Sequence, residues 1–373
     1  MISVNTQLMD ELIAHSLLSG RYSTSVAKRM VKVLDEFDAE LTATLITVLD
    51  DADIDINSFT VRRLESLLSS VERINGQAID RAFTFLSDEM KAYAFHEVSF
   101  YPSLFNALLP DAILRHYPFM GISEEMLYAS AMSRPFQGKL LSEWASGLEK
   151  DRMTRISNTV RNGYLNGDSA VQIGRKIRGH AKHNYKDGAL QMSRANATTL
   201  AKTAINHVQT TAREHLVDAN KDIIDCKQWL STLDNKTSHD CIVRDRLKYT
   251  LNDHPIGHKV PYKRGPGKIH WGCRSTETLI LKSWRDLGID ADEMDDGTRA
   301  SMDGQVPAKT TYLEWVQRQP EWRQRQVFGE VRFRLMKEGG MTPSEFYTDK
   351  GEFILLSELK ALDERAFKAA GYG

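Results

Sequence analysis

The sequence changes from a helical to a strand pattern between Ala189 and Leu233, where it is ALQMSRANATTLAKTAINHVQTTAREHLVDANKDIIDCKQWLSTL. The first part, Ala189–Asp218, is rich in Ala, Thr and Arg, and its small residues would let a neighbouring helix approach closely. The last part, Lys227–Leu233, alternates as a strand does, and Asp234-Asn235 is typical of a turn. This stretch predicts a mainly α chain with a small α+β central unit.

Helical patterns lie on both sides of this central unit. Between Ser25 and Leu49, apolar residues recur at spacings of three and four, which gives one apolar stripe. Thr310–Gln319 and Glu321–Lys337 predict two further helices, with Pro320 between them. Three earlier prolines predict breaks that divide the chain into short pieces, because each removes a donor and restricts its predecessor: Pro102, Pro110 and Pro118.

We therefore expect four parts. These are a helical N-terminal domain (1–140), a core of helices followed by the α+β unit (141–284), an acidic linker (285–308) and a helical C-terminal region (309–373). Within the core, residues 251–268 have a loop composition and residues 269–281 the pattern of a strand. The linker is named for its acidic residues: Asp286, Asp290, Asp292, Glu293, Asp295 and Asp296.

The composition excludes several classes of protein. At 373 residues, with 41% apolar and 27% charged residues, the chain is long enough for two or three domains with a sizeable core. No run of about 18 apolar residues is present, so we expect no membrane-spanning helix. The N-terminus lacks the pattern of a secretory signal, so its three cysteines are expected to be reduced thiols or metal ligands.

Positive charge is concentrated locally although the formal net charge is only −1. Residues 242–274 hold eight Lys or Arg against two Asp or Glu. The interpretation as a nucleic-acid contact rests on phosphate binding by basic residues that lie near Tyr262 and Trp271: Lys259, Lys263, Arg264 and Lys268. A solvated loop explains the same charges.

Two short pairs of soft-metal ligands predict a structural zinc site. The pairs are His239-x-Cys241 and His270-x-x-Cys273, and zinc commonly takes four N or S ligands supplied as two such pairs. A metal bound by both pairs would stabilise the loop-rich sequence between them. Other candidates for the fourth position are Cys226, Asp240, His254 and His258. The alternative is that the cysteines are small buried hydrophobic residues and the histidines ordinary polar ones.

A catalytic interpretation uses the same residues. Glu277, near His270, would act as general base on a metal-bound water, as in zinc-dependent hydrolases or nucleases. The HExxH spacing of many such enzymes is absent, and Gly265-Pro266-Gly267-Lys268 lacks the spacing of a phosphate-binding loop. We therefore assign no catalytic residue and predict a protein that is not an enzyme.

The motifs of the central unit resemble the core of the Mu F-like minor head proteins of tailed bacteriophages. The resemblance lies in Trp229–Asp234, Thr237-Ser238-x-x-Cys241, Arg244-Asp245 and Ile269–Ser275. Preceding helical motifs are similar too, although Ala204 stands where the family usually has Glu. With C-terminal motifs that are similar to the tail of many phage members, the resemblance covers about residues 150–373.

This resemblance implies a minor capsid protein that acts in head morphogenesis. Members of the family are associated with the portal and the head interior, so portal, capsid or scaffold proteins are the expected partners. The resemblance also implies a role in DNA packaging or delivery and a location in the virion after synthesis in the host cytoplasm, and the local basic residues fit contact with packaged DNA without sequence reading. A zinc-dependent hydrolase or nuclease, and a DNA-binding effector ejected with the genome, stay open as alternatives.

Overall fold

The computed structural model describes residues 3–51, 61–288 and 297–373. These form two compact units, and neither is continuous in sequence. Unit 1 contains residues 1–18, 97–122 and 212–373, and unit 2 contains residues 19–96 and 123–211. This division differs from the four consecutive parts expected from the sequence. Twelve α-helices and a four-stranded antiparallel sheet in the described residues confirm the predicted fold class, mainly α with a small α+β unit.

The N-terminal half begins with two helices of 48 residues each, α1 (Val4–Asp51) and α2 (Val61–Leu108). The helix expected over Ser25–Leu49 is confirmed as part of α1. The break expected at Pro102 is wrong, because this residue lies inside α2. The flanking turns bury Tyr101, Leu104 and Phe105, and this packing offsets the hydrogen bond that the proline cannot make.

Unit 2 is helical. It contains the whole of three helices and parts of three others. The whole helices are α4 (Glu124–Ser133), α5 (Leu141–Leu165) and α6 (Ala170–Arg178), and the others are α1, α2 and α7 (Gln191–Ala219). The hydroxyl of Ser169 caps α6 by accepting a hydrogen bond from the Gln172 N–H. A buried ion-pair network centres on the Asp38 carboxylate, which accepts hydrogen bonds from Arg152 and Arg194. The core contains Leu41, Leu45, Val71, Ile74, Ile156, Val160, Ile173 and Ile177.

Unit 1 contains the antiparallel sheet, in the order β3-β2-β1-β4. Its strands are β1 (Ile224–Leu230), β2 (Lys248–Tyr249), β3 (Pro255–Ile256) and β4 (Thr276–Leu281). The strand predicted over residues 269–281 is therefore only half correct. Residues 269–272 form a bend and a turn, in which Gly272 has a φ of 66° that is incompatible with an extended strand, and residues 273–275 have no regular structure.

Helices and a hairpin complete unit 1. The helices are α3 (Asp111–His116), α8 (His239–Ile242), α9 (Tyr312–Gln317), α10 (Glu321–Lys337), α11 (Leu356–Leu362) and α12 (Glu364–Ala369). The hairpin consists of β5 (Thr298–Ser301) and β6 (Gly304–Pro307). It lies within the segment predicted to be an acidic linker. Five of the six acidic residues that define that linker lie outside the described residues.

None of the helices in the described parts of the chain combines the length and the apolar composition that a membrane span requires.

Candidate metal centre

Three of the four predicted metal ligands converge in unit 1. The Cys241 Sγ lies 3.7 Å from the Cys273 Sγ and 3.4 Å from the His270 Nε2. All three donor atoms lie within 4.8 Å of one another. The two thiols are buried and the imidazole is half-buried, so the cluster stands at the edge of the core.

Two short backbone segments position these side chains. Cys241 lies in α8, where its N–H donates to the Ser238 carbonyl at 3.0 Å. His270 and Cys273 belong to one turn, which is closed by the Cys273 N–H donating to the His270 carbonyl at 3.3 Å. The left-handed conformation of Gly272 makes this turn possible. The sequence therefore brings together donors that are about 30 residues apart along the chain.

The His270 ring is held in one tautomer. Its Nδ1 lies 2.9 Å from the Trp271 carbonyl oxygen, which can only accept, so Nδ1 carries the proton. The other ring nitrogen, Nε2, faces Cys241 and forms a hydrogen bond with the Ser238 hydroxyl at 2.8 Å. Metal-binding histidines commonly donate their second ring N–H to a backbone carbonyl in this way, which fixes the ring.

The two thiols have opposite electrostatic environments. The Cys241 thiol and the backbone N–H groups of Ser275 and Gly267 donate to Cys273 and lower its pKa to about 7, against the effect of burial. The hydrogen bond to Cys273 and burial raise the pKa of Cys241. The thiolate is the metal-binding form, so Cys273, which loses its proton more readily, would bind a metal first. The bound cation would then stabilise the thiolate of Cys241.

The distances between the donors fit a tetrahedral zinc ion. With Zn–S near 2.3 Å and Zn–N near 2.0–2.1 Å, tetrahedral geometry places two sulfurs about 3.8 Å apart and a sulfur and a nitrogen about 3.6 Å apart. The separations of 3.7 Å and 3.4 Å are close to both values. The residues present can therefore supply three ligands of one site.

His239, the fourth predicted ligand, does not join this group. Its ring stacks on Phe353 with a centroid distance of 3.8 Å, and its Nδ1 lies 2.8 Å from the Tyr347 hydroxyl. Burial, together with the nearby Arg332, lowers the pKa of His239 to about 4. The physical reason is helical geometry: His239 and Cys241 are two residues apart in α8, and such residues do not share a helix face.

The other candidates for a fourth ligand also lie apart from the cluster. Cys226 is buried in β1, where burial raises the pKa of its thiol to about 12. The Asp240 carboxylate accepts hydrogen bonds from Lys263 and Arg244, and the His258 ring bonds the Lys248 carbonyl. No fourth Cys, His, Asp or Glu donor joins the three in the residues that the structure describes. The polar group that sequence reasoning missed is the Ser238 hydroxyl, which immediately precedes the His-x-Cys pair.

Glu277, considered as a general base, is bound by two other side chains. One carboxylate oxygen accepts from the Arg213 Nε at 2.9 Å and the other from the Tyr262 hydroxyl at 2.5 Å. Only 2% of this residue is exposed. A carboxylate held in a buried ion pair serves packing, and this contact offers the zinc-hydrolase alternative no support.

Three of the four basic residues considered for DNA contact are paired with carboxylates. Lys259 bonds Asp349, Lys263 bonds Asp240 and Lys268 bonds Glu214. The pairs of Lys259 and Lys263 are well exposed, so each contributes little to stability. A phosphate group would have to displace these carboxylates.

The remaining motif residues make internal contacts. Trp229 is fully buried against Cys241, Tyr249, Tyr262 and Cys273. Asp234 binds the Arg274 guanidinium and accepts from the Thr237 hydroxyl at 3.1 Å. The motif therefore builds a scaffold around the Cys/His cluster.

A comparison with protein families matches residues 154–278 to the family described as Phage Mu protein F like protein. The matched region contains α6, α7, the first three strands and the Cys/His cluster. No curated protein and no solved structure matches the chain.

Proposed function

Because this chain belongs to the Mu F-like family through residues 154–278, we propose that it is a minor capsid protein that joins the portal and the head interior during assembly. The family is one of phage head morphogenesis proteins. In this role the chain is made in the host cytoplasm and ends in the virion. Its partners are the portal and capsid or scaffold proteins.

The observation that carries this proposal is the use of the motif residues. In unit 1 they make contacts within the protein: Trp229 packs on the cysteines, Asp234 binds Arg274, and the enclosed carboxylate of Asp245 binds Arg299. Such an arrangement stabilises the fold of unit 1. It supports a structural role over the hydrolase alternative, whose general base, Glu277, is paired with Arg213.

Co-expression with the portal protein of the same phage tests the partner. We expect the full chain to co-elute with assembled portal rings in size-exclusion chromatography, with an unrelated ring-shaped protein of similar size as the control for unspecific association. A chain that elutes alone at micromolar concentrations beside intact portal rings would contradict the portal association.

We further propose that the basic loop contacts packaged DNA through its phosphates without reading sequence. Its positive side chains are surface residues, and the carboxylates of the two exposed lysine pairs are open to exchange with phosphate. Since each phosphate contact contributes about −0.9 to the slope of log K against log salt, loss of the loop charges lowers that slope.

The test is a DNA-binding titration at several salt concentrations. We expect weaker binding and a shallower slope when Gln replaces Lys259, Lys263, Arg264 and Lys268. A matched control replaces four exposed basic residues elsewhere in unit 1, which should leave the slope unchanged: Lys221, Lys309, Lys337 and Lys368. Equal slopes in the two variants would refute a DNA contact by this loop.

A further inference from the structure

We propose that Cys241, His270 and Cys273 bind one zinc ion, whose fourth position is taken by a water molecule beside the Ser238 hydroxyl. The ion ties α8 to the turn that precedes β4. The inference goes beyond the role in head assembly, because it concerns the internal construction of unit 1.

Donor geometry is the first support for this site. Two buried thiols can pack as apolar groups without an imidazole beside them. Here the His270 Nε2 lies 3.4 Å from the Cys241 Sγ, and the two sulfurs lie 3.7 Å apart. These two separations fit two edges of one zinc tetrahedron. The three donor atoms all lie within 4.8 Å of one another.

Orientation of the imidazole is the second support. The Nδ1–H of His270 donates to the Trp271 carbonyl, so the lone pair of Nε2 points toward the cysteine side. This outer contact needs no rearrangement when the metal binds. When the metal binds, the hydrogen bond between Ser238 and Nε2 and the one between the two cysteines are given up, the thiol protons leave to solvent, and the freed hydroxyl then bonds the water.

The donor set selects the metal. Two thiolates and one imidazole favour zinc over magnesium or calcium, which prefer oxygen ligands. A serine hydroxyl is not among the usual zinc ligands, and no carboxylate, imidazole or further thiol joins the cluster in the described residues. Solvent is therefore the fourth ligand, and the half-buried side of His270 gives it access.

The surrounding backbone explains why a metal is useful here. Between Cys241 and His270 the chain forms only two strands of two residues each, and three non-glycine residues have a positive φ: Arg246, Asp253 and Lys263. Such a segment contributes few regular hydrogen bonds. A metal that binds both of its ends replaces part of that missing stability.

Metal analysis of the full chain, purified under reducing conditions, tests the proposal. We expect one zinc per chain. After replacement by Co²⁺ we expect the intense sulfur-to-cobalt charge-transfer band and visible bands of a tetrahedral site with two thiolates. A wild-type chain that takes up neither Zn²⁺ nor Co²⁺ would overturn the proposal without any variant.

Variants then define the ligands. We expect Cys241→Ser, His270→Ala and Cys273→Ser each to weaken Zn²⁺ binding at least tenfold. Two matched controls change a thiol and an imidazole outside the ligand set and should keep one Co²⁺ with an unchanged spectrum: Cys226→Ser and His239→Gln. Loss of the metal in His239→Gln with an intact circular dichroism spectrum would contradict the three-ligand site.

Folding failure is separated from ligand loss by a conservative exchange. Cys273→His retains a zinc ligand, so we expect it to bind Co²⁺ with a weaker charge-transfer band that reports one thiolate. A Cys273→His chain that folds like the wild type but binds no metal would also speak against Cys273 as a ligand.

Discussion

Asp245 and Arg299 form a two-point ion pair in the interior of unit 1, with the Arg299 Nη1 3.0 Å from Oδ2 and Nη2 3.1 Å from Oδ1 of the carboxylate. Both side chains are almost fully excluded from solvent. The same carboxylate accepts the backbone N–H groups of Ser231 and Tyr312, each at 2.7 Å. Asp245 lies within residues 154–278, which match the family. It thus binds the hairpin β5–β6 and the start of α9, which lie outside the matched residues.

We predict that Asp245→Asn lowers the free energy of unfolding by about 3–5 kcal/mol, because it leaves the Arg299 guanidinium buried without its counter-charge. Denaturant unfolding of the full chain measures this. Asp349→Asn is the control: it removes an equally charged but exposed partner, of Lys259, and should leave the midpoint unchanged. Equal midpoints for the two variants would contradict a structural role of the buried pair.

Two glycines of α5 give a matched pair of substitutions in unit 2. A Cβ on Gly163 would overlap Ile173 Cγ1 and lie 2.8 Å from Ile173 Cδ1, whereas a Cβ on Gly147 would have no neighbour within 4 Å. We expect Gly163→Ala to destabilise the chain by about 1–3 kcal/mol through overpacking. Gly147→Ala should stabilise it by about 0.5–1 kcal/mol through helix propensity. Thermal unfolding distinguishes the two signs, and a stabilised Gly163→Ala chain would refute the close packing of α5 and α6.

Glu277 separates the structural from the enzymatic account. If its function is to hold Arg213, Glu277→Gln leaves a buried guanidinium without its counter-charge and lowers the unfolding midpoint. The wild-type chain should then cleave no phosphodiester with either Mg²⁺ or Zn²⁺. The hydrolase alternative requires the reverse: metal-dependent cleavage by the wild type, lost in a Glu277→Gln variant of unchanged stability.

The sequence predicted helices and the central unit well because these depend on local pattern. The stripe of Ser25–Leu49 and the pair of helices around Pro320 each follow from the spacing of residues within a few positions. The passage from helix to strand between Ala189 and Leu233 is also confirmed. The break predicted at Pro102 was wrong, because the packing of its buried neighbours outweighs the loss of one backbone hydrogen-bond donor.

Side-chain direction and long-range grouping were beyond the sequence. The pair His239 and Cys241 predicted two ligands, but helix α8 turns the first toward Phe353 and the second toward Cys273. No local pattern reveals that an extended run becomes a turn at Gly272. Nor does it show that residues 1–18 group with residues 212–373, because such grouping depends on which apolar faces meet in three dimensions.

The most direct test of the central claim is the protein content of purified phage heads. Quantitative mass spectrometry of DNA-filled particles should find this chain at a low, constant ratio to the portal protein. Particles from a phage in which its gene is deleted should be malformed or unfilled, and wild-type chain supplied in trans should restore them. Normal, DNA-filled heads that lack the chain in both cases would contradict a role in head morphogenesis.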